Sequence, residues 1–115
     1  MKGHHKLDVW KRGIEFVTKI YKLTESFPRN EIYGLVQQMR KSAVSIPSNI
    51  AEGAGRNSKN EFKQFLSIAQ GSLAELETQL LISRNLGFVK ELDSLLIELD
   101  ELSRMIIGLV RTLKS

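Results

Sequence analysis

The chain contains no cysteine. That removes disulfides, thiolate metal sites and a cysteine nucleophile, and it accords with a reducing, cytoplasmic setting. Histidine is almost as scarce: His4 and His5 stand side by side near the start, in a segment expected to be a mobile tail without further metal ligands. No Glu-x-x-His motif occurs, which excludes a carboxylate di-metal bundle. Glu75 and Glu77 are two residues apart and so sit on different faces of a helix, while Glu98, Asp100 and Glu101 read as a solvated acidic side. No apolar run approaches a membrane span, and the opening "MKGHHKLDVWKRG" has no apolar centre of signal-peptide length. Strand-like alternation is absent throughout. The expectation is a soluble cytoplasmic protein that is not an enzyme, with no metal, cofactor or membrane partner.

What the chain does have is helical periodicity. Its 115 residues suffice for one modest domain, residues 1–115, and not for two. Over residues 7–24 the line Leu7, Trp10, Ile14, Val17 and Tyr21, with Val9, Phe16, Ile20 and Leu23 beside it, predicts a first helix with a wide apolar stripe. Pro28 interrupts the pattern and suits the first turn of a second helix, residues 30–52, which carries Ile32, Leu35, Val36, Met39, Ala43, Ile46 and Ile50 on one side. That spacing continues through Pro47, so a helix kinked near Pro47 is expected, ended by Gly53 and Gly55.

A third helix, residues 58–86, opens on Ser58 and Glu61 with capping-box spacing and closes before Gly87. Its apolar positions are Phe62, Phe65, Leu66, Ala69, Leu73, Leu76 and Leu80. The fourth, residues 89–114, places Leu92, Leu95, Leu99, Leu102, Ile106, Leu109 and Leu113 in near-heptad order. Short connections between four such helices imply an all-α, antiparallel up-down-up-down bundle. Gly71, Gly13 and Gly108 lie inside helices, where glycine costs about 1 kcal/mol relative to alanine, so close approach of a neighbouring backbone is expected there. The apolar stripes of the first, second and last helices are also wider than so small a bundle needs, which suggests self-association.

Charge is unevenly spread. Residues 1–63 carry twelve Lys and Arg against six Asp and Glu, and residues 64–115 carry five against seven. A basic half attracts phosphate backbones, and a homo-oligomer multiplies its field; the plainer alternative is ordinary solvation of exposed helix faces. The candidate nucleic-acid contacts are Lys11, Arg12, Lys19, Arg40, Lys41, Arg56, Lys59 and Lys63. Three of these, Arg56, Lys59 and Lys63, cluster where the third helix begins and free amides also favour anions. The glycines of "GAGRNSK" do not form a nucleotide loop, because they follow a helix and lack the P-loop Lys-Ser/Thr ending. A polar line of Gln38, Ser42, Ser45, Asn49 and Glu52, leading to Arg56, runs beside the apolar stripe of the second helix. It reads either as a binding groove or as an inter-helix hydrogen-bond seam, the seam being favoured by its small uncharged middle members. Trp10, Phe62 and Phe65 fall on apolar stripes and are assigned to packing rather than to stacking on bases.

Several blocks are also recognisable together: "DVW" at 8–10; Phe27, Pro28, Glu31, Tyr33, Gly34 and Leu35; "QMRKSAVSIPSNIAEGAGR" at 38–56; and "FLSIAQGSLAELET" at 65–78. This set resembles the four-helix-bundle family of 23S rRNA intervening-sequence proteins, and is similar to the accessory variability protein of diversity-generating retroelements. The resemblance implies a bacterial, non-enzymatic bundle that assembles as a ring-like homopentamer. Its retroelement relatives use a basic pentamer to bind nucleic acid and a reverse transcriptase, so RNA or DNA, a polymerase and the chain itself are the implied partners. The alternative function is a protein-interaction adaptor, for example for a reverse transcriptase or other polymerase, without direct nucleic-acid contact. The intervening-sequence name records where some genes lie, inside a ribosomal RNA insertion.

Overall fold

A computed structural model describes residues 3–113. Four α-helices carry the fold: α1 (Asp8–Thr24), α2 (Gln37–Ala54), α3 (Lys59–Asn85) and α4 (Asp93–Thr112). No strand occurs among the described residues. Cross-helix contacts establish the topology. Gly13 of α1 faces Pro47 of α2, while Arg40 of α2 bonds Thr24 at the far end of α1, so these two run antiparallel. Ser45 pairs with Ser72, and Met39 meets Ser83, which sets α2 against α3 in the same sense. Gln70 bonds Ser103 between α3 and α4, and Arg12 and Lys19 of α1 reach Glu101 and Glu98 of α4. The result is the expected up-down-up-down bundle.

The core is a column of aliphatic side chains with Phe16 among them. Its most deeply buried members are Phe16 and Ile20 from α1, Met39, Ile46 and Ile50 from α2, Leu66, Leu76 and Leu80 from α3, and Leu102 and Ile106 from α4. For α2, α3 and α4 most of these are the residues that spacing selects. On α1 the buried line is Val9, Gly13, Phe16, Ile20 and Thr24, next to the line headed by Leu7, whose members Ile14 and Tyr21 are exposed. A stripe that wide satisfies the helical period on either line, and only the positions of α2 and α4 choose between them.

The second helical segment differs from the expected continuous helix over residues 30–52. Arg29–Glu31 forms a 3₁₀ turn and Ile32–Val36 a π-helical turn, with non-helical angles at Gly34 (φ −113°, ψ −110°). The Glu31 carboxylate folds back to accept the Leu35 amide at 3.2 Å, capping the new start much as a capping-box side chain would. Regular α-helix begins at Gln37 and runs unbroken through Pro47, which is buried. A β-carbon at Gly13 would lie 3.4 Å from Pro47 Cβ and 3.6 Å from its Cδ, ordinary van der Waals distances, so the proline ring packs against α1 at this glycine.

Gly53 also has a different role from the termination assigned to it. It is helical and buried, and a β-carbon there would stand 2.7 Å from Phe65 Cβ and 2.9 Å from Phe62 Cδ1. Here α2 and α3 touch most closely among the glycine positions. Gly71 and Gly108, by contrast, have nothing within 4 Å of a built β-carbon; no neighbouring backbone approaches them.

Ser58 caps α3 as expected, its Oγ accepting the Glu61 amide at 3.1 Å and donating to the Glu61 carboxylate at 3.2 Å. The helix ends in a Schellman arrangement: Gly87, at φ 82°, donates to Arg84, and Phe88 donates to Ser83. The chain then stays irregular until Asp93, so α4 starts later than residue 89. Phe88 leaves the turn to pack on Phe27 at 5.5 Å between ring centres, and Leu92 is buried without being helical. The expected end at Lys114 lies outside the described residues. Gly3–Lys6, read as part of a tail, forms a 3₁₀ turn, and the His4 ring meets Trp10 edge to face at 4.8 Å.

Candidate nucleic-acid interface

The eight basic candidates divide by what holds them. Arg12 donates to Glu101 at 2.8 Å, and that hydrogen bond raises the guanidinium pKa further above its ordinary value. Lys19 pairs with Glu98 at 2.6 Å. Arg56 pairs with Glu52 at 2.8 Å and lies 3.9 Å from Glu61, with its guanidinium 4.9 Å from the centre of the Phe65 ring. These three cations are compensated locally. Arg40 is used differently: Nε donates to Thr24 Oγ1 at 2.9 Å, Nη2 donates to the Tyr21 carbonyl at 3.2 Å, and the guanidinium stacks 4.5 Å from the Tyr21 ring centre. Its charge therefore serves the carbonyl end of α1, where a helix favours cations.

Lys11, Lys41, Lys59 and Lys63 remain, and none of them has an ion-pair partner among the described residues. Lys59 and Lys63 sit one turn apart at the start of α3. Lys41 lies next to Arg40 on a groove of about 530 Å³ whose other lining residues are Tyr21, Ile32, Tyr33, Val36, Gln37 and Val44. No carboxylate lines it. The π-helical turn brings Tyr33 into the groove, and Tyr33 is 89% exposed. Trp10, Phe62 and Phe65, the aromatics weighed in the sequence, are all partly buried.

The polar line on α2 divides as well. Ser45 Oγ lies 2.7 Å from Ser72 Oγ, and Asn49 Nδ2 donates to both the carbonyl and the hydroxyl of Ser45 at 2.8 Å. Ser42 is buried beside them, only 7% exposed. Of the three, only Ser45 bonds across to α3, with Asn49 bracing it from within α2, whereas Gln38 and Glu52 are exposed. A second, smaller groove of about 290 Å³ runs along the seam, and the buried Gln79 Oε1 on its wall has no hydrogen-bond partner. Among the described residues no three His, Cys, Asp or Glu side chains gather as a metal site, and no helix is long and apolar enough to cross a membrane.

This architecture accompanies a sequence match. Residues 5–108 fit the model of the family described as 23S rRNA-intervening sequence protein. The chain belongs to that family. No curated protein matches it. Among the features of the described residues that spacing did not reveal is the exposure of Tyr33. A local signal for it in the sequence is Gly34, a residue permissive enough to break the helix beside it.

Proposed function

We propose that this member of the 23S rRNA-intervening sequence family is a non-enzymatic, self-associating scaffold that binds RNA or DNA weakly through phosphates, in a bacterial cytoplasm. The observation that supports the binding is the set of lysines without an ion-pair partner among the described residues, Lys11, Lys41, Lys59 and Lys63, left over after Arg12, Lys19 and Arg56 have found carboxylates. Self-association draws on apolar side chains that a single copy leaves outside: Ile68 and Ile82 on α3, and Ile97 and Ile107 on α4. Resemblance to the accessory variability protein of retroelements favours a homopentamer.

Titration of a labelled oligonucleotide over a range of salt tests the binding, since each phosphate neutralised steepens the fall of affinity with salt. Light scattering with the ultraviolet absorbance ratio reports copy number and bound nucleic acid together. Absence of binding at the lowest salt refutes the nucleic-acid reading, and a monomer refutes the scaffold.

A second reading, an adaptor for a reverse transcriptase or other polymerase without nucleic-acid contact, is favoured by one feature of α4. Asp93, Asp100 and Glu101 share a groove with Leu96, Ile97 and Arg104. Arg104 pairs with Asp100 and Arg12 with Glu101, so the groove is an apolar strip with largely compensated charge, a surface better suited to a protein face than to phosphates. Recovery of a polymerase but no nucleic acid with the native particle supports this reading instead.

A further inference from the structure

We propose that the groove carrying Tyr33 receives unpaired bases of a single-stranded nucleic acid, with Tyr33 as a stacking platform and Lys41 as a phosphate contact. This rests on the nucleic-acid reading above and adds to it a location and a strand preference. A tyrosine 89% exposed beside a proline-started turn contributes little to the core. Its ring instead offers a free aromatic face in a groove that Tyr21 also lines, where the Tyr21 ring is already stacked by Arg40, itself held by bonds to Thr24 and to the Tyr21 carbonyl. Arg40 is thereby a planar cation fixed at the groove wall rather than a swinging side chain.

Charge complementarity selects the occupant. Among the described residues Lys41 has no ion-pair partner, although it also borders the smaller groove lined by Glu75. The lining of the Tyr33 groove contains no acid, and Glu31, the acid nearest in sequence to Tyr33, is turned back onto the Leu35 amide. Aromatic platforms alongside cations are what base and phosphate require together. A duplex keeps its base faces stacked inside, so only an unpaired strand can use the tyrosine.

The test compares a fluorescent oligothymidylate with a duplex of equal length by anisotropy, at several salt concentrations, using the full chain. The wild type is expected to prefer the single strand. Tyr33→Ala should weaken single-strand binding about 5- to 150-fold, the range expected for one lost stacking contact, without changing the salt slope. Tyr33→Phe should retain the affinity. Lys41→Gln should instead reduce the salt slope by about 0.7, one phosphate on a single strand. Wild-type binding that Tyr33→Ala leaves intact, or weakens equally for duplex, overturns the inference while the general reading stands. If the wild type binds neither strand nor duplex at low salt, both fail. A lower particle mass for Tyr33→Ala by light scattering would show that the groove joins copies of this chain, which also overturns it.

Discussion

Two glycine-to-alanine changes in the same bundle should move stability in opposite directions. At Gly53 the added methyl would stand 2.7 Å from Phe65 Cβ, 2.9 Å from Phe62 Cδ1 and 3.3 Å from the Phe62 carbonyl oxygen. One of these is backbone and one is a β-carbon fixed to it, so rotation of a side-chain tip cannot relieve the clash. Overpacking of this kind costs about 1–3 kcal/mol. Alanine's helix propensity returns about 1 kcal/mol. With three close contacts the upper part of the range applies, and Gly53→Ala should lose about 1–2 kcal/mol net. Gly71 is exposed and mid-helix, and its β-carbon would meet nothing within 4 Å. Only the propensity gain remains there, so Gly71→Ala should gain about 0.5–1 kcal/mol. Urea unfolding followed by far-ultraviolet circular dichroism, at one protein concentration because association shifts the midpoint, reads both. A domain of this size should show melting shifts of about 4 °C per kcal/mol. Equal or higher stability for Gly53→Ala would refute the close-packing argument. A loss at Gly71→Ala would show that its outer face is covered in the assembled particle.

Phe16→Ala empties the centre of the core and should cost about 3–5 kcal/mol, measurable as a large fall in the urea midpoint. Ser45→Ala and Ser72→Ala, combined in a double-mutant cycle, should show a coupling of about 0.5–1.5 kcal/mol from their shared hydrogen bond; strictly additive losses would mean that the hydroxyls do not pair in solution. Gly87→Ala forces a side chain into the left-handed region at φ 82° and should cost about 1–2 kcal/mol in the same unfolding assay.

The bundle was legible because its helices announce themselves twice, by period and by punctuation. Ser58 with Glu61 marks the start of α3, and Gly87 marks its end, each for a local hydrogen-bonding reason that the chain carries with it. The irregular passages were hidden for the opposite reason. Ile32, Leu35, Val36 and Met39 satisfy helical spacing whether or not a π-turn intervenes, so Gly34 broke the helix without disturbing the pattern. Leu92 is buried as a helical residue would be, yet it precedes α4. The candidate site was less readable still. Which lysines lack partners depends on how α1 sits against α4, since Arg12 meets Glu101 across 89 positions of sequence and Lys19 meets Glu98 across 79. Charge counting sees totals, and the exposure of Tyr33 follows from a backbone angle that composition does not encode.

The interruption at Gly34 has a thermal consequence. Because the hydrogen-bond ladder changes register there, the stretch from Ile32 to Leu35 can fray as its own small cooperative unit while the run from Met39 to Ile50 stays closed. Within residues 29–54 amide exchange should accordingly be faster in that stretch than around the buried isoleucines, with the aromatic-bearing end of the bundle sampling open forms before the whole molecule melts.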